Sequence, residues 1–476
     1  MLTRLDLLTF FTQTQNMLFT TNRFRIVLLT VITVMLVSVF NAMAASQTVV
    51  NYKISAAQPS EGGIGDYKIS SDGKIAVYVE YQSFVGKEQL AGELFSAPLD
   101  GSTPPTRLSM LLPNTANVNQ FEISPKNEFV VFKVAQEGVN IIDLYSVSIE
   151  GGEIQKLNDD AVSGGRVQTI AISPDSSKVV FRAEEQSEQV TELYSVPIEG
   201  GIITKLNGLL VVGGDVNGFK ISSNSSRVVY DANQQNVNKY ELYSVSIDGG
   251  SETKLNGPLV EEGDVFFNYQ ISGDSNRVVY VANQELATRP ELYSVPIEGG
   301  TVIKLNGSID ENGTVDGFQI SSDGSRVVYL ADQQSAGIKE LFSVPIEGGS
   351  FTKLNSLLIR NGDVLSFEIT PDGSYVIYKA DQDTNEQKEI YSVPVQGGAV
   401  TKLNGELVED GNVSWFRISP DSSRIVYIAN QQAAYQNEIF TVLVKGGSAL
   451  KLNDELVTLG SIWSFAISPD SDSVVY

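Results

Sequence analysis

The chain repeats one pattern of apolar and polar positions from about residue 64 to its last residue. Each copy has an apolar strand ending on Ile-Ser or Ile-Thr, a polar turn and a Val-Val-Tyr type strand. The hydroxyl residue that opens the turn recurs at intervals of 49 residues, apart from one interval of 54 and one of 50. It occupies these positions: Ser70, Ser124, Ser173, Ser222, Ser272, Ser321, Thr370, Ser419 and Ser468. Nine starts define eight complete repeats and part of a ninth.

Four short strands are predicted in each repeat. In the fourth copy, residues 216–222 and 227–230 are rich in β-branched and aromatic residues, and a polar turn separates them. A third strand is predicted at 242–247, and an Asp-Gly-Gly turn leads to a fourth at 253–255. No apolar spacing with the period of a helix occurs in the repeat.

The predicted strands are apolar on both faces, as residues 179–181 show. Both faces of such a sheet must be covered, and one four-stranded unit cannot cover them alone. The sequence therefore predicts an all-β protein, a β-propeller of about eight four-stranded blades at residues 64–460. Residues 461–476 would form the first two strands of a ninth repeat, and we expect a strand at 48–54 to help close the ring.

The repeat motifs resemble the WD-like propeller repeats of the TolB-like family. Copies such as Ser173-Pro174-Asp175 precede a Val-Val-Tyr type strand, and the complete copies continue with Leu-Tyr-Ser-Val-Pro-Ile-Glu-Gly-Gly or a close variant. The resemblance covers nearly the whole chain after residue 64 and implies a propeller of six to eight blades. The α/β domain of TolB itself has no counterpart here, so a role in the Tol system does not follow.

One turn position departs from that family. Its glycine after the aspartate is kept only at Gly73, Gly324 and Gly373. Serine replaces it at five positions, and we expect this to loosen the turn: Ser176, Ser225, Ser275, Ser422 and Ser471.

The N-terminal segment predicts export. Arg23 and Arg25 precede an apolar run at 26–40, which is followed by Ala42-Met43-Ala44, a small-x-small cleavage pattern. We expect a signal peptide at 1–44 and a linker or strand at 45–63. The mature protein would then be periplasmic, exposed at the cell surface or secreted, without membrane insertion. The alternative is an uncleaved anchor, because residues 26–45 are long enough to cross a bilayer.

The composition excludes several functions. The chain has 57 acidic and 33 basic residues, and its net charge of -24 excludes nucleic acid as a partner. Cysteine and histidine are absent, which excludes disulfides, imidazole general bases and the usual zinc ligands. Since no Gly-x-Ser-x-Gly motif occurs either, we expect no serine-hydrolase activity, and we expect no cofactor.

One position of the innermost strand is polar and variable. It lies two residues before each marker hydroxyl and is predicted to line the central channel, where it would bind a small polar ligand. The alternative is that these side chains pair with one another or contact channel water. The nine residues are Lys68, Glu122, Ala171, Lys220, Gln270, Gln319, Glu368, Arg417 and Ala466.

The loops at the end of the blades opposite the Ser-Pro-Asp turns differ between copies. We call this end the variable-loop face, and its loops are predicted at 80–92, 184–191, 231–240, 282–290, 331–339 and 381–388. Loops on a rigid scaffold commonly bind partners, although unselected exposed loops also vary.

Two further sets of residues are weaker candidates for binding. Trp415 and Trp463 start adjacent innermost strands, where they would stack on a sugar or pack against neighbouring residues. The acidic loops at 261–264 and 310–316 would bind calcium or form a solvated surface, and neither matches an EF-hand.

The hypothesis favoured by the sequence is an exported, noncatalytic binding module. It would recognise a protein or an extracellular polymer through the variable-loop face. One alternative is a metal-assisted hydrolase or lyase in the channel, acting on a glycan or lactone, and another is a purely architectural module. Tyr476 ends the second strand of the ninth repeat. We therefore expect either a longer natural chain or a final strand pair that completes a blade with N-terminal strands.

Overall fold

The computed structural model describes Ser55 and residues 63–82, 91–112, 116–136, 141–159, 166–184, 190–309, 313–433, 435–457 and 460–476. These residues belong to one unit, Ile54–Tyr476. The predicted signal peptide, its alternative as an anchor and the predicted strand at 48–54 all lie outside the described residues. No helix in the described ranges has the length and apolar content needed to span a bilayer.

Nine antiparallel sheets follow one another along the chain, and we number them 1 to 9. Sheets 1 to 8 have four strands, each paired with the next in chain order, and sheet 9 has two. Sheets 1 to 4 comprise β1 Gly63–Ile69, β2 Ile75–Gln82, β3 Ala91–Pro98, β4 Thr106–Arg107; β5 Ala116–Ile123, β6 Phe129–Gln136, β7 Ile141–Ser148, β8 Gln155–Lys156; β9 Val167–Ile172, β10 Lys178–Ala183, β11 Glu192–Pro197, β12 Thr204–Lys205; β13 Val216–Ile221, β14 Arg227–Ala232, β15 Glu241–Ser246 and β16 Thr253–Lys254.

The remaining sheets repeat this arrangement, and they confirm the predicted all-β propeller of eight four-stranded blades with a partial ninth. Sheets 5 to 9 comprise β17 Gln270–Ile271, β18 Arg277–Leu286, β19 Arg289–Pro296, β20 Ile303–Lys304; β21 Val315–Ile320, β22 Arg326–Ala331, β23 Glu340–Pro345, β24 Thr352–Lys353; β25 Val364–Ile369, β26 Tyr375–Ala380, β27 Glu389–Pro394, β28 Thr401–Lys402; β29 Val413–Ile418, β30 Arg424–Ala429, β31 Glu438–Leu443, β32 Leu450–Lys451; β33 Ala466–Ile467 and β34 Val474–Val475.

The core consists of apolar layers between consecutive sheets. In sheet 4, Val228 and Tyr230 face sheet 3, whereas Val229 and Leu242 face sheet 5. Eight such clusters join the nine sheets in chain order. Burying one valine side chain contributes about 2 kcal/mol, so each sheet depends on its neighbours for stability.

In the part of the chain that the structure describes, each end of this array has an exposed face. Val475 of sheet 9 is 72% exposed, although its counterparts in sheets 1 to 8 are between 0 and 3% exposed. Tyr67 of sheet 1 is 68% exposed, whereas the corresponding residue of sheets 2, 3 and 5 to 9 is at most 8% exposed. Within the described residues, no hydrophobic cluster joins sheet 9 to sheet 1.

The Ser-Pro-Asp turns are closed by side-chain hydrogen bonds. Ser419 Oγ donates to Asp421 Oδ1 at 2.6 Å and accepts the N–H of Arg424 at 2.9 Å, while Asp421 Oδ1 accepts the N–H of Ser423 at 3.0 Å. The bond from Ser419, followed by those from Ser423, holds the pKa of Asp421 at about 2. The aspartate side chain therefore caps this turn.

The serines that replace glycine do not loosen the turn, and that expectation is wrong. Ser225 has a φ of 61°, in the same region as Gly73 at 70°. Its hydroxyl accepts the N–H of Asp175 in the preceding sheet at 2.9 Å. Ser176, Ser275, Ser422 and Ser471 accept a turn N–H of the preceding sheet in the same way, at 3.0 to 3.1 Å. A left-handed residue costs about 1 kcal/mol, which one such bond offsets.

The short fourth strand is held by the Lys-Leu-Asn motif. In sheet 3, Asn207 Oδ1 accepts the N–H of Leu193 at 2.7 Å, and its amide donates to the carbonyl of Gly208 at 2.9 Å. The Lys205 ammonium pairs with the buried carboxylate of Glu192 on the third strand. A two-residue strand thereby stays on the outer edge of each complete sheet.

Replacing Asp421 with Asn should reduce the protein's sensitivity to acid. Asn224 already occupies this position in sheet 4, where its Oδ1 accepts the Ser222 hydroxyl at 2.8 Å and the N–H of Ser226 at 3.1 Å. Because folding lowers the pKa of Asp421, its contribution to stability is complete above about pH 4 and is lost as the pH falls towards 2. We expect the parent and the Asp421→Asn variant to have similar melting temperatures at pH 7, and the variant to have the higher melting temperature at pH 2.5. A melting-temperature difference that does not vary with pH would contradict this explanation.

Candidate functional site

Four charged residues occupy a position that is apolar in other sheets. Nine residues after the marker hydroxyl, the second strand presents a side chain to the next sheet. That residue is Val79, Val281, Leu330 or Ile428 in sheets 1, 5, 6 and 8. It is Lys133, Arg182, Asp231 or Lys379 in sheets 2, 3, 4 and 7. A charge at a covered position is costly unless it is paired, which makes these residues candidates for function.

The two lysines have a structural explanation. Lys133 Nζ donates to the carbonyl of Gln168 at 2.6 Å, and Lys379 Nζ donates to the carbonyl of Ser414 at 3.2 Å. Both carbonyls lie at irregularities in the first strand of the next sheet. Burial lowers the pKa of both lysines. Each lysine therefore satisfies a carbonyl that the bulge leaves out of the ladder.

Arg182 links sheet 3 to the first strand of sheet 4. Its Nη1 donates to the carbonyl of Val216 at 3.0 Å. Its Nη2 donates to Gln168 Oε1 at 3.3 Å and to Thr169 Oγ1 at 3.2 Å. The guanidinium is thus fixed by groups from two adjacent innermost strands.

Asp231 and Tyr269 depart from the repeat together. Asp231 is 1% exposed, and its Oδ2 accepts a hydrogen bond from Asn217 at 2.8 Å. Tyr269, in sheet 5, takes the place of a phenylalanine such as Phe219, so its hydroxyl is an added polar group facing sheet 4. A Cβ at Gly218 would lie 3.0 Å from Asp231 Oδ1, so glycine leaves room for the carboxylate.

The buried carboxylate has an unusual titration. Burial raises the pKa of Asp231 to about 6, although hydrogen bonds from Asn217 and Tyr269 and the charge of Arg182 act in the opposite direction. Burial, followed by the charge of Asp231, raises the pKa of Tyr269 well above its usual value. Arg182, Asp231 and Tyr269 therefore form one electrostatic network across sheets 3, 4 and 5.

Two exposed phenylalanines next to this network lie in a segment that has one extra residue. Ser272 lies 18 positions after Lys254, whereas the corresponding distance is 17 positions in the other copies, for example from Lys205 to Ser222. The extra residue lies between Val265 and Tyr269, where Phe266 and Phe267 are 42% and 59% exposed. Val265 still pairs with Ala282, and Phe266 N–H donates to the carbonyl of Val281 at 2.9 Å. The insertion enlarges a bulge and shortens the paired first strand of sheet 5 to Gln270–Ile271, while the bridge from Val265 to Ala282 is kept.

Tyr240 completes an aromatic surface beside carboxylates. Its ring lies 5.5 Å from that of Phe267 at an interplanar angle of 76°, and its N–H donates to Asp264 Oδ1 at 2.8 Å. Burial raises the pKa of Tyr240, as do the charges of Asp215, Asp231 and Asp264. We define the Phe266 site as these six residues on the variable-loop face: Arg182, Asp231, Tyr240, Phe266, Phe267 and Tyr269.

The predicted channel-lining residues mostly contact their neighbours. Lys68 pairs with Glu122 at 2.6 Å, and Arg417 lies 3.9 Å from Glu368, whose pKa burial raises. Ala171 and Ala466 bring no polar side-chain atom to this position. Gln270 and Gln319 bond to the next innermost strand, through the Phe318 carbonyl at 2.9 Å and the Ile369 N–H at 3.1 Å.

Lys220, one of the predicted channel-lining residues, contacts Tyr269 of the Phe266 site. Its Nζ lies 5.6 Å from the centre of the Tyr269 ring, and desolvation lowers its pKa. The structure therefore brings one predicted residue to the site and pairs or packs the others along the innermost strands. A ligand-binding role for the set stays a prediction.

The other sequence candidates are dispersed. Trp415 packs on Phe465 with ring centres 4.6 Å apart and carries the Arg417 guanidinium 4.7 Å from its ring, whereas Trp463 is exposed. Asp264 of the first acidic loop accepts the Tyr240 N–H, and residues 310–312 of the second lie outside the described residues. In the described ranges, no three carboxylates lie close enough together to hold a metal ion.

Four copies share a hydrogen bond that anchors the loops of the variable-loop face. The varying sequence lengths of these loops did not indicate it. A glutamine twelve residues after the marker hydroxyl accepts the N–H of the residue that follows Lys-Leu-Asn. The pairs are Gly208 with Gln234, Gly307 with Gln333, Ser356 with Gln382 and Gly405 with Gln431, at 2.9 to 3.1 Å. The bases of these loops are therefore fixed, and only their outer parts vary.

No protein-family model matches the chain, and no curated protein matches it. Among solved structures, the chain is similar to a prolyl endopeptidase, at 14% identity and a TM-score of 0.42, with 71% of this chain and 50% of that one covered. It is also similar to dipeptidyl peptidase 4 of Porphyromonas gingivalis, at 13% identity and a TM-score of 0.48, with 86% and 56% covered. The chain spans about half the length of these solved chains, and these similarities carry no argument about activity.

Replacing Asp231 with Asn should stabilise the protein at neutral pH. Folding raises the pKa of Asp231 to about 6. The parent protein therefore loses stability as the pH rises from 4 through 6, because the buried carboxyl must ionise. We expect similar free energies of unfolding for parent and variant at pH 4, and a variant more stable by about 2 kcal/mol at pH 8. Urea denaturation at both pH values measures the difference. An equal difference at the two pH values would show that Asp231 does not titrate as described.

Proposed function

We propose that the protein is an exported, noncatalytic β-propeller that binds a protein or an extracellular polymer through its variable-loop face. The observation that carries this proposal is the exposure of Phe266 and Phe267 beside a buried charged network. Aromatic side chains normally bury their area in the core. An exposed pair held on a rigid scaffold marks a surface that a partner covers.

The charged groups of the site support binding rather than catalysis. Asp231 is 1% exposed, and the Arg182 guanidinium donates to a carbonyl and two side chains of the innermost strands. A general acid or base must reach the substrate within hydrogen-bond distance. With neither histidine nor cysteine in the sequence, the usual nucleophile pairs cannot be assembled.

The family and the location belong to the same proposal. The Ser-Pro-Asp turns, the Val-Val-Tyr type strands and the Leu-Tyr-Ser-Val-Pro-Ile-Glu-Gly-Gly segments of the sequence support membership of the TolB-like repeat family. The apolar run at 26–40 followed by Ala42-Met43-Ala44 supports export. The net charge of -24 favours a cationic or neutral partner over nucleic acid.

Polar substitution of the two phenylalanines should abolish partner binding and preserve the fold. We expect the double variant Phe266→Ser with Phe267→Ser to capture at least tenfold less material from an envelope extract than the parent protein does. The matched control is Leu357→Ser with Ile359→Ser, which alters exposed apolar residues of another loop on the same face. Equal capture by the parent and the Phe266/Phe267 variant would refute the proposal, as would equal losses in both variants.

The exported protein should begin at Ala45. Cleavage after Ala44 follows from the small-residue pattern and the short apolar run. Intact-mass measurement of the protein from the envelope or medium checks this expectation. A membrane-bound form that retains residues 26–40 would contradict it.

A further inference from the structure

The Phe266 site offers aromatic faces to a partner. Tyr240 and Phe267 stand nearly perpendicular to one another, with ring centres 5.5 Å apart, and Phe266 is exposed beside them. A ring face carries negative electrostatic potential and attracts an ammonium or guanidinium group. Rings in such an arrangement can contact the two sides of a cationic side chain.

The charges around these rings are mainly negative. Asp215, Asp231 and Asp264 act on Tyr240, and their charges together with burial raise its pKa. The exposed Glu261 and Glu262 immediately precede Gly263 and Asp264 in the same loop. The surroundings therefore favour a cation.

The cations nearby are already engaged. Arg182 donates to the Val216 carbonyl, and Lys239 Nζ donates to the carbonyl of Val260 at 2.7 Å. Lys220 lies over the ring of the buried Tyr269. These three side chains keep their positive charge, but the five carboxylates of the surroundings outnumber them.

Exposed aliphatic residues lie on the loop that ends at Tyr240 and on its neighbour. Leu209 and Val212, on the loop that enters sheet 4, are almost completely exposed, and Val237 is exposed on the adjoining loop. A Cβ at Gly213 would lie 3.3 Å from Val237 Cγ2, which places these two loops in contact. Asp215, at the end of the first loop, accepts the N–H of Thr191 at 2.6 Å and fixes its position. Aliphatic side chains favour a partner that has apolar side chains of its own, which a sugar polymer lacks.

We infer that the Phe266 site binds a protein segment in which a lysine or arginine stands next to apolar residues. The cationic side chain would contact Tyr240 and Phe267, near the carboxylate of Asp264. The adjacent apolar side chains would cover Leu209, Val212 and Val237. This inference rests on the proposed function and names the class of partner.

The test uses a synthetic fluorescent peptide of ten residues that alternates leucine and arginine. Its binding to the purified mature protein is measured by fluorescence anisotropy at about 150 mM salt. Two further peptides replace every arginine with glutamine or every leucine with serine. We expect at least tenfold weaker binding for each of these two peptides.

Two protein variants and one control localise the binding. Phe267→Ser and Asp264→Asn should each weaken binding of the leucine–arginine peptide at least fivefold. Asn412 accepts the N–H of Lys388 at 2.8 Å at the position equivalent to Asp264, so asparagine preserves the loop. The control Glu409→Gln removes an exposed acidic residue from a loop without aromatic residues and should change nothing.

The possible results separate this inference from the proposed function. Peptide binding that does not depend on arginine, Phe267 or Asp264 overturns the inference, and so does the absence of peptide binding. The inference is also overturned if the protein binds a cationic polysaccharide and does not bind the peptide. If envelope capture still requires Phe266 and Phe267 in these cases, the proposed function stands and the partner class is wrong.

Discussion

The structure depends on one constraint, which is that every sheet has two apolar faces and only neighbouring sheets can cover them. Val228 and Tyr230 of sheet 4 pack on sheet 3, and Val229 packs on sheet 5. The same division recurs along the array, so the loss of one sheet would uncover two others. The exposed Val475 shows what a sheet looks like where no neighbour follows. Hydrogen bonds between adjacent turns, such as that from Asp175 N–H to Ser225, align the sheets that burial holds together.

This constraint also decides where the chain can vary. Positions between sheets accept a charge only with a partner, as the bond from Lys133 to the Gln168 carbonyl illustrates. An insertion is accommodated where the first strand is already bulged and faces the variable-loop end. Phe266 and Phe267 lie in that segment, between Val265, which pairs with Ala282, and Gln270, which pairs with Val279. The candidate site is thus a local departure on an otherwise repetitive scaffold.

Much of the fold could be predicted from the sequence because it rests on local rules repeated nine times. Turn residues, alternation of β-branched residues and the Gly-Gly hairpins determine the strands of one repeat, and repetition then reveals two-sided burial. The bond of Ser225 to the preceding turn could not be predicted, since it joins residues 50 positions apart. The interval of 50 residues before Ser272 was visible in the sequence. Only the structure shows that the segment with the extra residue carries two exposed phenylalanines near Asp231.

The scaffold tolerates one extra residue in the bulge of the first strand of sheet 5. The most direct measurement is the free energy of unfolding after deletion of Phe266, which restores the 17-residue spacing of the other copies. Deletion of Leu365 from sheet 7, where no extra residue is present, is the control. We expect the Phe266 deletion to unfold cooperatively with at least the parent's stability, and the control to be strongly destabilised because the strand register shifts. A loss of more than about 3 kcal/mol on deletion of Phe266 would show that this residue is part of the structural core and would contradict the account.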